Sequence, residues 1–307
     1  MGLGGHSSRL GIGGPGQDRM APCPYLAFSH SSGNIAQRDE TTVMKAGHCS
    51  VSGETKQPEP RDAQSRAITL GHPSYVWRFG QDRRLELIRY YAPLEDKRIL
   101  DVGCGLGAYV RKMRAFSSQV YGVDIDQDKV AQTQQELGHI FLAPAEELPF
   151  SDEYFDVVLL HEVLEHVRDD AQAVREAYRV LKTGGRIVVF APNRLYPFET
   201  HGVYWRGKYH FGNIPLVGYL PSALRQRLCP HVRAYTRGSL QSLFTGLTHS
   251  IVVLTEIYPG FDKVAHSRPR VARAFRDLFY ALERTPLRIF GLSHLMVVER
   301  TATEQGP

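Results

Sequence analysis

The chain has 307 residues, 42% hydrophobic and 22% charged, which excludes a low-complexity polymer and allows one large domain with extensions or two small ones. The net charge of +5 is mild, and no apolar run is long enough to span a membrane. Cys23, Cys49, Cys104 and Cys229 show no C-x-x-C spacing, so neither a zinc site nor a disulfide framework is expected, and a cytoplasmic protein with reduced thiols is the simple reading.

Residues 1–65 are rich in Gly, Ser, Gln and Pro with little periodicity, and are expected to be a disordered extension. Residues 66–300 should hold the folded domain, with 301–307 as a loose tail. Tyr75 to Tyr91 suits an amphipathic helix with Trp77, Phe79, Leu85 and Ile88 inward, and Tyr75 and Arg78 would lie near a ligand's mouth. Arg98 to Val102 reads as a buried parallel strand running into a glycine-rich turn, Gly103-Cys104-Gly105-Leu106-Gly107-Ala108, and then a helix. Such a turn lets backbone approach a ligand closely, and the helix behind it offers free N–H groups.

Two readings of that turn compete. It satisfies the dinucleotide pattern G-x-G-x-x-G/A, which points to an NAD enzyme. Asp101 argues otherwise, because a buried carboxylate at a strand end needs donors that an amino-acid ammonium would supply. A second strand, Gln119 to Val123, ends at Asp124, positioned for ribose hydroxyls, while Asp126 suits a helix N-cap. Strands follow at His139 to Leu142 and Phe155 to Leu160, with Ala145-Glu146-Glu147-Leu148-Pro149-Phe150 between them.

The Asp-x-Gly-x-Gly-x-Gly turn resembles motif I of class I S-adenosylmethionine (SAM) methyltransferases. The Ala-Glu-x-Leu-Pro-Phe loop with Phe155-Asp156, and Arg179-Val180-Leu181-Lys182 before Gly184-Gly185-Arg186, are similar to the methyltransferase type 11 family, which includes ubiquinone-biosynthesis O-methyltransferases. The resemblance implies a Rossmann-like, doubly wound, seven-stranded α/β sheet, mostly parallel with an antiparallel edge strand. It also implies SAM as cofactor, held by Asp101, Gly103, Cys104, Gly105 and Gly107 on the methionine side. Asp124 and Ile125 would meet the ribose side, Ala145 and Glu146 the adenine, and His161 would lie near the methyl group.

The fourth strand leads into His161-Glu162-Val163-Leu164-Glu165-His166. If helical, this stretch puts Glu162, Glu165 and His166 on one face, a set suited to a divalent cation. Glu-x-x-Glu-His resembles the metal site of the ubiquinone O-methyltransferases and of plant small-RNA 2′-O-methyltransferases, which implies Mg2+ and makes His231 a further candidate ligand. His161 is the alternative general base. Helix Ala171 to Leu181, closed by a glycine C-cap at Gly184-Gly185, precedes a fifth strand at Arg186 to Phe190.

An aromatic, basic insertion at 193–235 should wall or cover the acceptor side, with Glu199 and His201 as candidate bases. Its aromatics suit stacking, a membrane interface or a small packed core. A helix at Arg237 to Phe244, a strand at Ser250 to Glu256, a basic amphipathic helix at Val271 to Leu287 and a final strand at His294 to Arg300 complete the pattern. The expected activity is in-line methyl transfer to a small-molecule or lipid-like hydroxyl. RNA 2′-O-methylation and a non-catalytic SAM-fold scaffold are the alternatives, and peripheral membrane contact fits the basic C-terminal half.

Overall fold

The computed structural model describes residues 79–302. The expectations for residues 1–65, for Tyr75, Trp77 and Arg78, and for the tail beyond residue 302 lie outside the described residues.

Helix α1 (Phe79–Tyr91) buries Leu85 and Ile88 and leads to β1 (Ile99–Val102), whose four residues are all buried. Helix α2 (Ala108–Met113), β2 (Val120–Asp124), α3 (Gln127–Leu137) and β3 (Ile140–Leu142) follow. Then come β4 (Phe155–His161), α4 (Asp170–Val180) and β5 (Leu181–Pro192). The near-continuous apolar runs of β1, β2 and β4 have the pattern of parallel strands covered on both faces. One core lies between the sheet and α4, with Ala173, Val174 and Ala177 against Val158, Leu160 and Val189. A second packs Ile88, Val110, Met113 and Val130 against Ile99, Val157 and Leu159. The result is a three-layer α/β/α arrangement.

The helix before β5 ends at Val180, not at the glycine pair: Leu181 is already extended. Gly184 takes the left-handed conformation (φ 77°), but inside an irregular start of β5 where the register against β4 slips between Phe155 and Val157. A Cβ on Gly185 would stand 2.9 Å from the Asp156 carbonyl oxygen, so this bulge needs that glycine.

After β5 the insertion forms two short hairpin-like pairs, β6 (Phe198–Glu199) with β9 (Ile214–Pro215) and β7 (Val203–Trp205) with β8 (Lys208–His210), then α5 (Ser222–Leu228). Val203, Val217, Cys229 and Val232 give it a small core of its own. The chain continues through α6 (Arg237–Ser242), β10 (His249–Ile257), α7 (Asp262–Ser267), α8 (Pro269–Leu282) and β11 (Ser293–Arg300). Pro286 opens a separate 3₁₀ turn, so the expected helix to Leu287 stops five residues sooner. The seven-stranded sheet runs β10-β11-β5-β4-β1-β2-β3. Its antiparallel strand is β11, which pairs with both β5 and β10 and therefore sits one place inside the edge. No described helix is long and apolar enough to cross a membrane.

Candidate functional site

The carboxyl ends of β1, β2, β4 and β5 form one rim of the sheet, where open α/β folds place their ligands. Beyond β1 the three loop glycines are all left-handed, with φ of 70°, 53° and 72° at Gly103, Gly105 and Gly107. Added Cβ atoms would collide with Val163 at Gly103 (2.6 Å) and with Leu137 and Thr133 at Gly107, whereas at Gly105 nothing stands within 4 Å. The outer glycines thus pack the turn, and the middle one leaves open space for a ligand. Cys104 is buried between them, and burial pushes its thiol far up, which makes it an inert spacer.

Asp101 is 3% exposed; burial, helped by the neighbouring Asp124, pushes its carboxyl up to about 8. Asp124 accepts hydrogen bonds from the Gly105 N–H (2.7 Å) and the Asp126 N–H (2.9 Å), so it also fixes the glycine turn. Asp126 caps α3 by accepting from the Asp128 and Lys129 N–H groups, as expected.

Ile125 and Leu142, at the ends of β2 and β3, expose about half their surface. They offer an apolar platform where the resemblance puts the adenosine. Leu142 escaped the sequence reading because it looked like one more strand residue. Glu146 has a second role. Its carboxylate accepts through Oε1 from the Arg168 N–H (2.8 Å) and Asp169 N–H (3.3 Å), and its carbonyl accepts from the Gln172 side chain. It anchors the approach to α4. The Leu-Pro-Phe loop beside it is held by Glu176 and Arg179, which bind the Leu148 and Phe150 backbone.

At the end of β4 the stretch from Glu162 to His166 is not helical, contrary to expectation: Glu162 is left-handed (φ 57°) and the chain then turns, with the His166 N–H donating to the Val163 carbonyl. That kink takes Glu162 off a shared helical face with Glu165 and His166, while leaving it close enough for its charge to act on Glu165. Arg84 of α1 claims it, donating to Glu162 Oε1 (2.9 Å), to His161 Nε2 (2.7 Å) and to Ser293 Oγ (2.9 Å). Burial would raise the Glu162 carboxyl, but Arg84 and the nearby imidazoles outweigh it and hold it well below the usual range. His161 accepts from a guanidinium that has no acceptor of its own, which assigns its proton to Nδ1. Burial and Arg84 push its pKa down to about 3, so its committed, weakly basic Nε2 is a poor general base. The Tyr109 ring packs on it at 4.6 Å. Arg84 had no motif to betray it; only the fold brings α1 over this rim.

Glu165, His166 and His201 do come together, with one ligand atom of each within 4.8 Å of the others. Glu165 is 1% exposed and neither carboxylate oxygen finds a hydrogen-bond partner. Burial, reinforced by Glu162, pushes its carboxyl well above the ordinary value. The insertion supplies His201 and also braces the turn: the Arg233 N–H donates to the Glu165 carbonyl (3.1 Å), and the Tyr235 hydroxyl donates to the Leu164 carbonyl (2.8 Å). His201 Nδ1 lies 3.2 Å from Glu199 Oε1, leaving Nε2 for the cluster. Glu199 is itself held by buried Arg225 (2.8 Å); burial opposes ionisation, but His201 and Arg225 keep its pKa at about 2. It orients His201 and is not a base. His231 bonds the His201 carbonyl through Nε2 (3.1 Å) between Tyr204 and Tyr209, outside the cluster. The gathered set is therefore Glu165, His166 and His201, in place of Glu162, Glu165 and His166.

Residues 100–189 match the model of a family described as "Methyltransferase domain". A ubiquinone biosynthesis O-methyltransferase of Hydrogenovibrio crunogenus is 29% identical over 120 residues, 37% of this chain and 50% of that protein. A probable S-adenosylmethionine-dependent methyltransferase of Mycobacterium tuberculosis is 36% identical over 99 residues, 32% of this chain and 36% of its own length. These matches span half or less of the relatives' length. The crystal structure of an S-adenosylmethionine-dependent methyltransferase from Mesorhizobium loti aligns over 70% of this chain and 96% of that one, with a TM-score of 0.50 and 20% identity, a likeness of fold.

Proposed function

On the premise that residues 100–189 belong to a class I SAM-dependent methyltransferase domain, we propose that the chain methylates a hydroxyl oxygen of a small-molecule or lipid-like acceptor, with a divalent cation at Glu165, His166 and His201. The observation that carries the acceptor chemistry is the buried Glu165 carboxylate, with both oxygens unpartnered, beside two imidazoles on the rim that holds the glycine turn. An isolated buried carboxylate is costly, and a cation is the group that would satisfy it. The O-methyltransferase name of the Hydrogenovibrio relative supports oxygen as the acceptor atom.

SAM supplies a methyl group on a sulfonium, already activated toward nucleophiles. The residues suit it: the open space at Gly105 would take the methionine part, Asp101 would offer its carboxylate to the ammonium, Asp124 would meet the ribose, and exposed Ile125 with Leu142 would form an apolar seat. A divalent cation, when bound, supplies the positive charge that lowers the pKa of an acceptor hydroxyl. The chain's own task is placement. Arg84 fixes Glu162 and His161 at the end of β4, Tyr109 packs beside them, and the insertion brings His201 across to close the acceptor side. The Glu199–His201 hydrogen bond favours a second reading, in which His201 Nε2 takes the hydroxyl proton without any cation.

The deciding experiment is calorimetric titration of the full chain with S-adenosylhomocysteine and, separately, with Mn2+ and Mg2+. Cation binding that is lost in Glu165→Ala and kept in Glu162→Gln supports the cation site. Homocysteine-product binding with no cation binding, and transfer to a catechol indifferent to EDTA, moves the assignment to His201 as base. No nucleoside binding at all rejects both.

A further inference from the structure

Helix α8 is fastened to the domain along one face and largely exposed along another, where Phe275 keeps a ring contact with Phe261 at 5.8 Å. Ala272 is its one fully buried residue. The fastening face uses Arg276, whose guanidinium lies 4.0 Å over the Phe79 ring, and Phe279, 4.9 Å from Tyr258. It also uses Tyr280, under the Arg83 guanidinium at 3.7 Å, and the following Glu283 pairs with Arg83. About 120° around the helix, Val271, Phe275 and Leu278 recur at spacings of four and three and stand 42%, 42% and 56% exposed. Arg270 is exposed at one border of that stripe, whereas Arg273, two residues from both Val271 and Phe275, points to the opposite side of the helix. Arg268 and Arg284 flank the helix, against the single exposed acid Asp277.

We propose that α8 is a lipid-docking helix: it lies flat on a membrane surface carrying anionic headgroups, with Val271, Phe275 and Leu278 entering the acyl boundary and Arg268 and Arg270 at the headgroups. An apolar stripe bordered by arginine is the composition such a surface selects. At 14 residues the helix is too short to cross a bilayer but long enough to lie along one. A nucleic acid would meet the same arginines, but in that stripe only Phe275 offers a flat face for a base to stack on. The docking stands on α8 alone. Its use rests on the proposed function: α8 packs on α1, whose Arg84 reaches the candidate site, so docking would hold that rim near a lipid-like acceptor.

The test is sedimentation of the full chain with vesicles of phosphatidylcholine alone or enriched in phosphatidylglycerol. Binding should favour the anionic vesicles and weaken with salt. The pair Val271→Asp and Leu278→Asp should lower it about tenfold or more, the ratio expected from losing apolar burial of that size. Arg268→Glu with Arg270→Glu should flatten the salt dependence. Unchanged S-adenosylhomocysteine affinity in each variant would certify the fold. Equal sedimentation of parent and variants, or equal binding to neutral vesicles, overturns the proposal. So does salt-sensitive retention on RNA without vesicle binding. A dimer that the aspartates split, in a chain that ignores vesicles, would reassign the stripe to a second copy.

Discussion

Asp101 carries a pH signature that follows from its burial. Its folded pKa, about 8, lies above the unfolded value of 3.8, so the folded chain holds the proton more tightly. Stability from this group is therefore full below about pH 4 and falls as pH rises toward 8. Asp101→Asn should remove that slope, seen as a melting temperature that declines less between pH 5 and 8, while S-adenosylhomocysteine affinity drops. An ammonium ligand favours the ionised carboxylate, so binding at pH 7 should release protons, measurable as a buffer-dependent heat that vanishes in the variant. His161 gives a contrasting expectation. With a pKa near 3 it stays neutral, and its ring resonances should not titrate between pH 5 and 8. A titration there would detach it from Arg84.

The glycine turn and the start of α4 separate packing from binding. Gly103→Ala and Gly107→Ala each combine a left-handed φ with a collision under 3 Å and should cost about 1–3 kcal/mol of stability, read from denaturant midpoints. Gly105→Ala meets no protein atom and should keep more of its stability while losing ligand affinity, the cradle being filled. Glu146→Ala should cost about 1 kcal/mol through the Arg168 and Asp169 N–H groups it leaves, with nucleoside affinity nearly intact. A large affinity loss there would return Glu146 to the adenine. Regular elements were legible because their signals are local: apolar runs for β1, β2 and β4, and Asp126 as the cap of α3. The kink at Glu162 was not legible. A helical spacing of carboxylates was present, but Arg84, 78 residues away, holds the chain in a left-handed turn instead.

Across the whole molecule, sequence motifs located the glycine turn and its neighbouring acids more fully than the proposed acceptor side. Motif I and the second-strand acid lie close in the chain, so their geometry follows from one βαβ unit. The acceptor half is assembled from α1, the end of β4, the insertion and β11, through contacts such as Arg84 to Ser293 that span 209 positions. His201 was singled out as a base, but its place beside Glu165 depends on how 193–235 folds back. Arg225→Ala should show that dependence. It leaves buried Glu199 without its guanidinium, so the insertion should melt early and cation binding should weaken, while the glycine turn keeps its nucleoside affinity.

The place of β11 has a consequence for how the chain comes off the ribosome. β10 is made first, yet its sheet partner is β11, the last strand of the sheet to be made. Until β11 arrives, the growing sheet ends at β5, and one edge of a strand built from Ile187, Val188, Val189 and Phe190 is left unpaired. An apolar edge held open in that interval is a template for wrong pairing. The nascent chain is therefore at its most aggregation-prone in the interval between the emergence of β5 and that of β11, and a chaperone that shields the β5 edge would matter most then.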